Sequence, residues 1–128
     1  HLGIAVKDLE QSKALFEKLL NSPCYKEERV ESEKVTTAFF RNGPNKIELL
    51  SAINGQGPIQ KFLDKKGEGI HHIAFAVDDI YREKARLEKE GFICLNDEPK
   101  EGADNKLICF FHPKRTNGVL IELCMDNK

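Results

Sequence analysis

The chain alternates between two hydrophobic periods, and it does so twice. Residues 2–6 and 72–77 are apolar and β-rich, as strands are. Each is followed by an aspartate, Asp8 or Asp79, where a short side-chain oxygen can accept from the first free amides of a helix. Gln11, three residues after Asp8, completes a capping-box-like start. Apolar residues then recur at helical spacing: Leu9, Phe16, Leu19 and Leu20 in the first helix, Ile80 and Leu87 in the second. Gly91 stands where a helix ends on positive φ. Beyond each helix the pattern predicts three strands, at about 25–31, 34–41 and 46–51, then 93–97, 106–111 and 118–124. Turns at 42–45 and 112–118 precede each last strand. Between the halves, Pro58 opens a short helix that carries Ile59, Phe62 and Leu63 and stops at Gly67.

The two halves also match residue by residue. His1-Leu2-Gly3-Ile4-Ala5-Val6-Lys7-Asp8-Leu9 corresponds to His72-Ile73-Ala74-Phe75-Ala76-Val77-Asp78-Asp79-Ile80 at an offset of 71. Thr37-Ala38-Phe39-Phe40 corresponds to Ile108-Cys109-Phe110-Phe111 at the same offset, and Ile47-Glu48-Leu49 to Ile121-Glu122-Leu123 at 74. The expected architecture is α+β: two βαβββ modules related by a pseudo-twofold, their mixed sheets forming an open cup around a metal site. This is one domain over 1–128, with module one at about 1–54, a linker helix at about 55–68 and module two at about 69–128.

The repeat turns isolated polar residues into a candidate site. His1 and His72 are equivalent positions on the first strand of each module, and Glu48 and Glu122 on the last. Side chains at i and i+2 share a strand face. Gly3 and Ala5 lie beside His1, and Ala74 and Ala76 beside His72. The opposite faces carry Leu2, Ile4, Val6, Ile73, Phe75 and Val77, which suit packing against helices. Small residues beside ligand-type side chains leave room for a substrate. A single Glu between apolar neighbours is ordinarily solvent-facing, and a single strand His is more often a hydrogen-bonded core residue than a ligand. A repeat-related quartet of two His and two Glu reads instead as a site for one divalent cation, and Co, Zn, Ni or Mn all accept that donor set. Four ligands on an octahedral ion leave two adjacent positions for a chelating substrate. His71 faces away from His72 and reads as structural or as supporting the ligands.

Composition narrows the function classes. Lys and Arg number 20 and Asp and Glu 21, for a net charge of −1, which argues against a dedicated nucleic-acid binder. No apolar run approaches the roughly 18 residues of a membrane span, and no secretory signal is visible. The chain starts at His1 rather than Met, which leaves open whether residues precede it. Cys24, Cys94, Cys109 and Cys124 lack C-x-x-C spacing and read as reduced thiols, three of them buried, in a cytoplasm-like compartment.

His1-Leu2-Gly3-Ile4-Ala5-Val6, Ile47-Glu48-Leu49-Leu50, Gly57-Pro58-Ile59-Gln60-Lys61-Phe62-Leu63, Gly69-Ile70-His71-His72-Ile73-Ala74 and Gly118-Val119-Leu120-Ile121-Glu122-Leu123 resemble the vicinal-oxygen-chelate superfamily and, within it, the methylmalonyl-CoA epimerase family. Asp97-Glu98-Pro99-Lys100 and His112-Pro113-Lys114 add to the likeness. The resemblance implies metal-dependent interconversion of (2R)- and (2S)-methylmalonyl-CoA, an acyl-CoA partner, a homodimer, and a cytoplasmic or, in a eukaryote, mitochondrial-matrix location. It implies His1, Glu48, His72 and Glu122 as metal ligands and Glu122 as first candidate for one acid/base. Some family members carry a non-ligand carboxylate on the strand equivalent to 35–40, where this chain has Thr36 and Thr37. Glu48, a coordinated water or another pocket residue would then serve as the second base. Lys100, Lys106 and Lys114 are candidate contacts for CoA, and plain surface lysine is an equally good reading of each. Two alternatives are a glyoxalase I-type lactoylglutathione lyase, which shares the quartet, and a non-catalytic small-molecule binder of the same fold, which lacks it.

Overall fold

The computed structural model describes residues 1–127. Among them are eight strands and three α-helices, and the chain divides into two compact units, His1–His71 and one starting at His72. In the first unit β1 (Leu2–Ala5) leads to α1 (Leu9–Leu20), then to β2 (Lys26–Val30), β3 (Val35–Asn42) and β4 (Asn45–Ala52), and α2 (Gly57–Lys66) follows. The strands lie in the order β2-β3-β4-β1, antiparallel except for β1, which runs parallel to β4. Gly43, at φ 63, and the ring-fixed Pro44 make the two-residue turn between β3 and β4.

Asp8 caps α1 as expected, accepting from the Gln11 amide at 3.0 Å, and Asn21 ends the helix at φ 50. Leu9, Phe16 and Leu20 pack on Val6, Ala38, Phe40 and Leu49, so α1 seals one face of the sheet. Leu19 falls outside this stripe and is 69% exposed. At 3.6 residues per turn it stands roughly a quarter-turn away from Leu9, Phe16 and Leu20. The opposite face is also partly covered: Ile59 and Leu63 of α2 close over Ala5, Val35 and Leu50. Pro58 sits in the first turn of α2, where its missing N–H costs nothing, and Gly67 stops the helix at φ 80.

The second unit repeats the plan with β5 (Gly69–Ala76, which begins in the first unit), α3 (Ile80–Lys89), β6 (Lys100–Glu101), β7 (Lys106–Phe111) and β8 (Ile121–Asp126). The order is β5-β8-β7-β6, with β5 parallel to β8. Asp79 accepts from the Arg82 amide at 3.1 Å, and Gly91 follows α3 at φ 100. Ile80 and Leu87 pack on Cys109, Phe111 and Leu123.

Two expectations fail here. The strand expected at 93–97 is reduced to one bridge, Cys94 with Phe111, and β6 forms at Lys100–Glu101 instead. Asn96 breaks the ladder, because its side-chain oxygen takes the Phe110 amide at 2.8 Å in place of a backbone carbonyl. Pro99 then has no N–H to offer a ladder. Phe75, expected to pack against a helix, is 53% exposed, because α3 packs chiefly on β7 and β8. All four cysteines are free thiols, with Cys109 and Cys124 buried and Cys94 partly so. Among the described residues no helix is long and apolar enough to cross a membrane.

Candidate metal-binding site

Each unit holds one His–Glu pair, built by the same register. In the first, Gly3 on β1 lies opposite Glu48 on β4; in the second, Ala74 on β5 lies opposite Glu122 on β8. In both cases the glutamate faces the residue two positions after the histidine. Residues two apart share a strand face, so each histidine and its glutamate project on the same side. The contacts follow: His1 Nδ1 is 3.3 Å from Glu48 Oε2, and His72 Nε2 is 3.1 Å from Glu122 Oε1. All four side chains are 5–7% exposed.

A phenylalanine flanks each glutamate, Phe39 opposite Glu48 and Phe110 opposite Glu122. Phe110 meets the His72 ring edge-on, at 5.6 Å between centroids and 89° between planes, which restrains the imidazole. Phe39 instead has two ammonium groups near its ring, Lys26 at 5.3 Å and Lys46 at 5.6 Å. Lys46 Nζ is also 3.9 Å from Glu48 Oε2.

The donor chemistry fits a divalent cation. Buried carboxylates are costly without a positive or hydrogen-bonding partner, and imidazole nitrogen with carboxylate oxygen is the mixture that Zn, Co, Ni and Mn accept. His72 and Glu122 are among the side chains that could hold a metal ion.

The other expected residues divide. His71 packs edge-on against Phe62 of α2 at 5.0 Å, a structural contact. Lys106 is engaged by Asp126. Lys100 is exposed on β6, and Lys114 lies in the short turn Pro113–Arg115, where its amide donates to His112 Nδ1 at 3.0 Å. Thr37 is buried on the Glu48 side of β3, opposite Leu50, whereas Thr36 points to the α1 side. That strand therefore offers the Glu48 face a hydroxyl and no acid. Lys46, 3.9 Å from Glu48, belongs to the surroundings of the pair although its donor chemistry does not mark it as a ligand. Alternation was the available signal, since Lys46 precedes Glu48 by two and Arg41 follows Phe39 by two.

Two hollows occupy repeat-related places away from the pairs. One of 430 Å³ is lined by Lys7, Ala52, Gln60, Leu63 and Asp64, and one of 390 Å³ by Val77, Asp78, Leu107, Met125, Asp126 and Asn127.

With this geometry in view, the chain belongs to the Glyoxalase/Bleomycin resistance protein/Dioxygenase superfamily, whose description fits residues 1–110. It is 38% identical over 124 residues to the uncharacterised protein YqjC of Bacillus subtilis, a match covering 97% of this chain and 89% of that one. Its relatives within the superfamily include methylmalonyl-CoA epimerases. It is 39% identical over 125 residues to the ethylmalonyl-CoA/methylmalonyl-CoA epimerase of Cereibacter sphaeroides, covering 96% of this chain and 93% of the relative. The structure of a Streptomyces coelicolor methylmalonyl-CoA epimerase variant in complex with 2-nitronate-propionyl-CoA superimposes with a TM-score of 0.93 at 30% identity, covering 100% of this chain and 96% of the other.

Proposed function

We propose that this protein is an isomerase that interconverts the (2R) and (2S) forms of methylmalonyl-CoA, with one divalent cation held by His1, Glu48, His72 and Glu122. The observation that carries the reading is the doubled pair: the same buried His–Glu contact, set by the same strand register, occurs once in each unit. A structural pair has no need to be copied in register. Membership among relatives that are methylmalonyl-CoA epimerases supplies the substrate class.

The α-hydrogen of methylmalonyl-CoA lies between a thioester and a carboxylate, so its loss leaves a planar enolate. A bound divalent cation supplies Lewis-acid stabilisation of negative charge on the substrate oxygens. Epimerisation then needs a proton removed from one face and returned to the other. A carboxylate has two oxygens, so one can ligate while the second handles a proton. In this scheme Glu122 enters as the carboxylate and takes the α-proton, while Glu48 enters carrying a proton on one oxygen and gives it to the opposite face, the two exchanging roles in the reverse direction; the hydroxyl that Thr37 contributes is no base. Phe110 gives Glu122 an apolar neighbour, and burial of both carboxylates lets the proton transfers compete less with water. In this reading Lys100 and Lys114 contribute positive charge to the outer parts of CoA.

The test is α-proton exchange of methylmalonyl-CoA in D₂O with protein loaded with Co(II) or Mn(II). Exchange at the α-carbon is expected. Absence of exchange, together with turnover of a glutathione hemithioacetal, would overturn the assignment in favour of the glyoxalase I-type reaction.

A further inference from the structure

Cys94 and Cys109 form a pair of a different kind in the unit that holds His72 and Glu122, and the proposed reaction makes no use of it. Cys94 lies opposite Phe111 in the one bridge that remains of the expected strand. The Leu95 amide donates to the Phe110 carbonyl and the His112 amide to the Ile93 carbonyl, both at 2.8 Å, so the bridge is fixed on either side. Residues facing each other across a bridge share a side, and Cys109 stands two before Phe111, so both thiols project toward α3. The right-handed twist of paired strands brings one such diagonal closer. Here the contact is made. Cys94 packs on the cluster of Ile80, Cys109, Phe111 and Leu123, and its thiol is hydrogen-bonded with that of Cys109. Cys94 is partly exposed and Cys109 fully buried. The Lys84 ammonium of α3, held by Glu88 at 3.1 Å, interacts with both sulfurs. Cys24 and Cys124 instead direct their thiols to backbone carbonyls, of Lys26 at 3.2 Å and of Phe75 at 3.7 Å.

We propose that Cys94 and Cys109 are a redox modification site, at which hydrogen peroxide converts the two thiols into a disulfide within one chain. Cys94, the accessible member, attacks one peroxide oxygen; the O–O bond breaks, water leaves, and Cys94 becomes a sulfenic acid. The Cys109 sulfur then attacks the Cys94 sulfur, the S–O bond breaks, and the departing hydroxide leaves as water with the Cys109 proton. Two thiols together lose two electrons and two protons, and one peroxide becomes two waters. Burial, with Cys94 beside it, raises the Cys109 pKa to about 12, so Cys109 waits as a thiol until Cys94 has reacted. On the reading that His72 is a metal ligand, the bond also reaches the candidate metal site. Diagonal neighbours on paired strands ordinarily stand about 7–8 Å apart at Cα, whereas a disulfide holds them within about 4.4–6.8 Å. Closing it draws the 93–97 segment along β7, against the 2.8 Å contact that Asn96 makes to the Phe110 amide. Phe110 is the residue whose ring restrains His72, so oxidation loosens the imidazole.

The experiment treats the full chain, stripped of metal by a chelator, with equimolar hydrogen peroxide and follows thiol titre, intact mass and non-reducing peptide maps. Wild type is expected to lose two of its four thiols, to become two hydrogens lighter, and to link the Cys94 and Cys109 peptides within one chain. Dithiothreitol is expected to restore both thiols. Cys109→Ala should stop at a Cys94 sulfenic acid that dimedone traps, and Cys94→Ala should keep Cys109 reduced. Four surviving thiols, a link through Cys24 or Cys124, or oxidation of Cys94 to a sulfinic acid without a link overturns the proposal. Chelator competition with Co(II) then reads the coupling. Oxidised wild type is expected to bind about two- to tenfold more weakly than reduced, the scale of the aromatic contact at His72, and peroxide-treated Cys94→Ala as it did before treatment. A disulfide with unchanged Co(II) affinity keeps the redox site and removes its coupling. Reduced wild type that binds no Co(II) removes the metal reading, and the thiol results decide the redox site without it.

Discussion

Replacing Phe110 by leucine tests whether the second His–Glu pair is held in a ligating geometry by its surroundings. The Phe110 edge meets the His72 ring at 5.6 Å, and the same residue lies opposite Glu122 across the β7–β8 ladder. An edge-to-face aromatic contact contributes about 0.5–1.5 kcal/mol beyond its area. If that energy restrains the imidazole for a cation, its loss weakens the metal Kd by about two- to twelvefold. The control is the next residue. Phe111 is 1% exposed and packs on the α3 side with Ile80 and Leu123, so Phe111→Leu changes the same strand on the opposite face. It is expected to cost about 1 kcal/mol or more of stability and to leave metal affinity unchanged. Chelator competition with Co(II) gives the affinities, and urea unfolding gives the stabilities. The reasoning is refuted if Phe110→Leu loses stability but binds Co(II) as wild type does, or if Phe111→Leu weakens the metal equally.

Three further outcomes follow from the structure. Glu48→Ala and His72→Ala, one change in each pair, should each lower bound metal after loading and gel filtration by at least tenfold, and full metal content in both would dismiss the quartet. Burial, with help from its hydrogen-bonded neighbour Cys94, pushes the Cys109 thiol from 9.0 up to about 12. Between those values the folded chain keeps a proton that the unfolded chain has released, so this stability is whole below pH 9 and falls toward pH 12 by about 1.4 kcal/mol per pH unit; urea unfolding at pH 8 and 10.5 should show a shallower decline for Cys109→Ala than for wild type, and parallel declines refute it. Asp8→Ala and Asp79→Ala each remove a side-chain acceptor from a helix start and should each cost about 1 kcal/mol in the same assay.

What could be read before folding was what the repeat and the backbone chemistry determine locally. Asp8, Asp79 and Gly91 act within a few residues of themselves, so their roles were visible. Glu48 and Glu122 became recognisable because the same short pattern surrounds both. Three features needed neighbours distant in the chain. The strand expected at 93–97 competes with the Asn96 side chain for the Phe110 amide, fourteen residues away. Phe75 has the composition of a buried position, but its burial depends on where α3 settles. Lys26, Arg41 and Lys46 come from three different strands, and only the pairing of β2 with β3 and β3 with β4 shows that they share a face with Glu48.

The outermost strand of the first unit, β2, has a consequence of a different kind. An unpaired strand edge is a template on which a second chain can extend a sheet. Here that edge reads Lys26-Glu27-Glu28-Arg29-Val30, and Lys13 of α1 reaches across to Glu27 at 2.7 Å. Charged side chains of both signs make the edge a poor template for self-association, and the ammonium from α1 anchors it to the helix of the same chain. Lys26 and Glu28 therefore help to keep that edge from self-association. Laboratory or natural variation that exchanges either for a β-branched apolar residue changes how the protein behaves in a crowded solution.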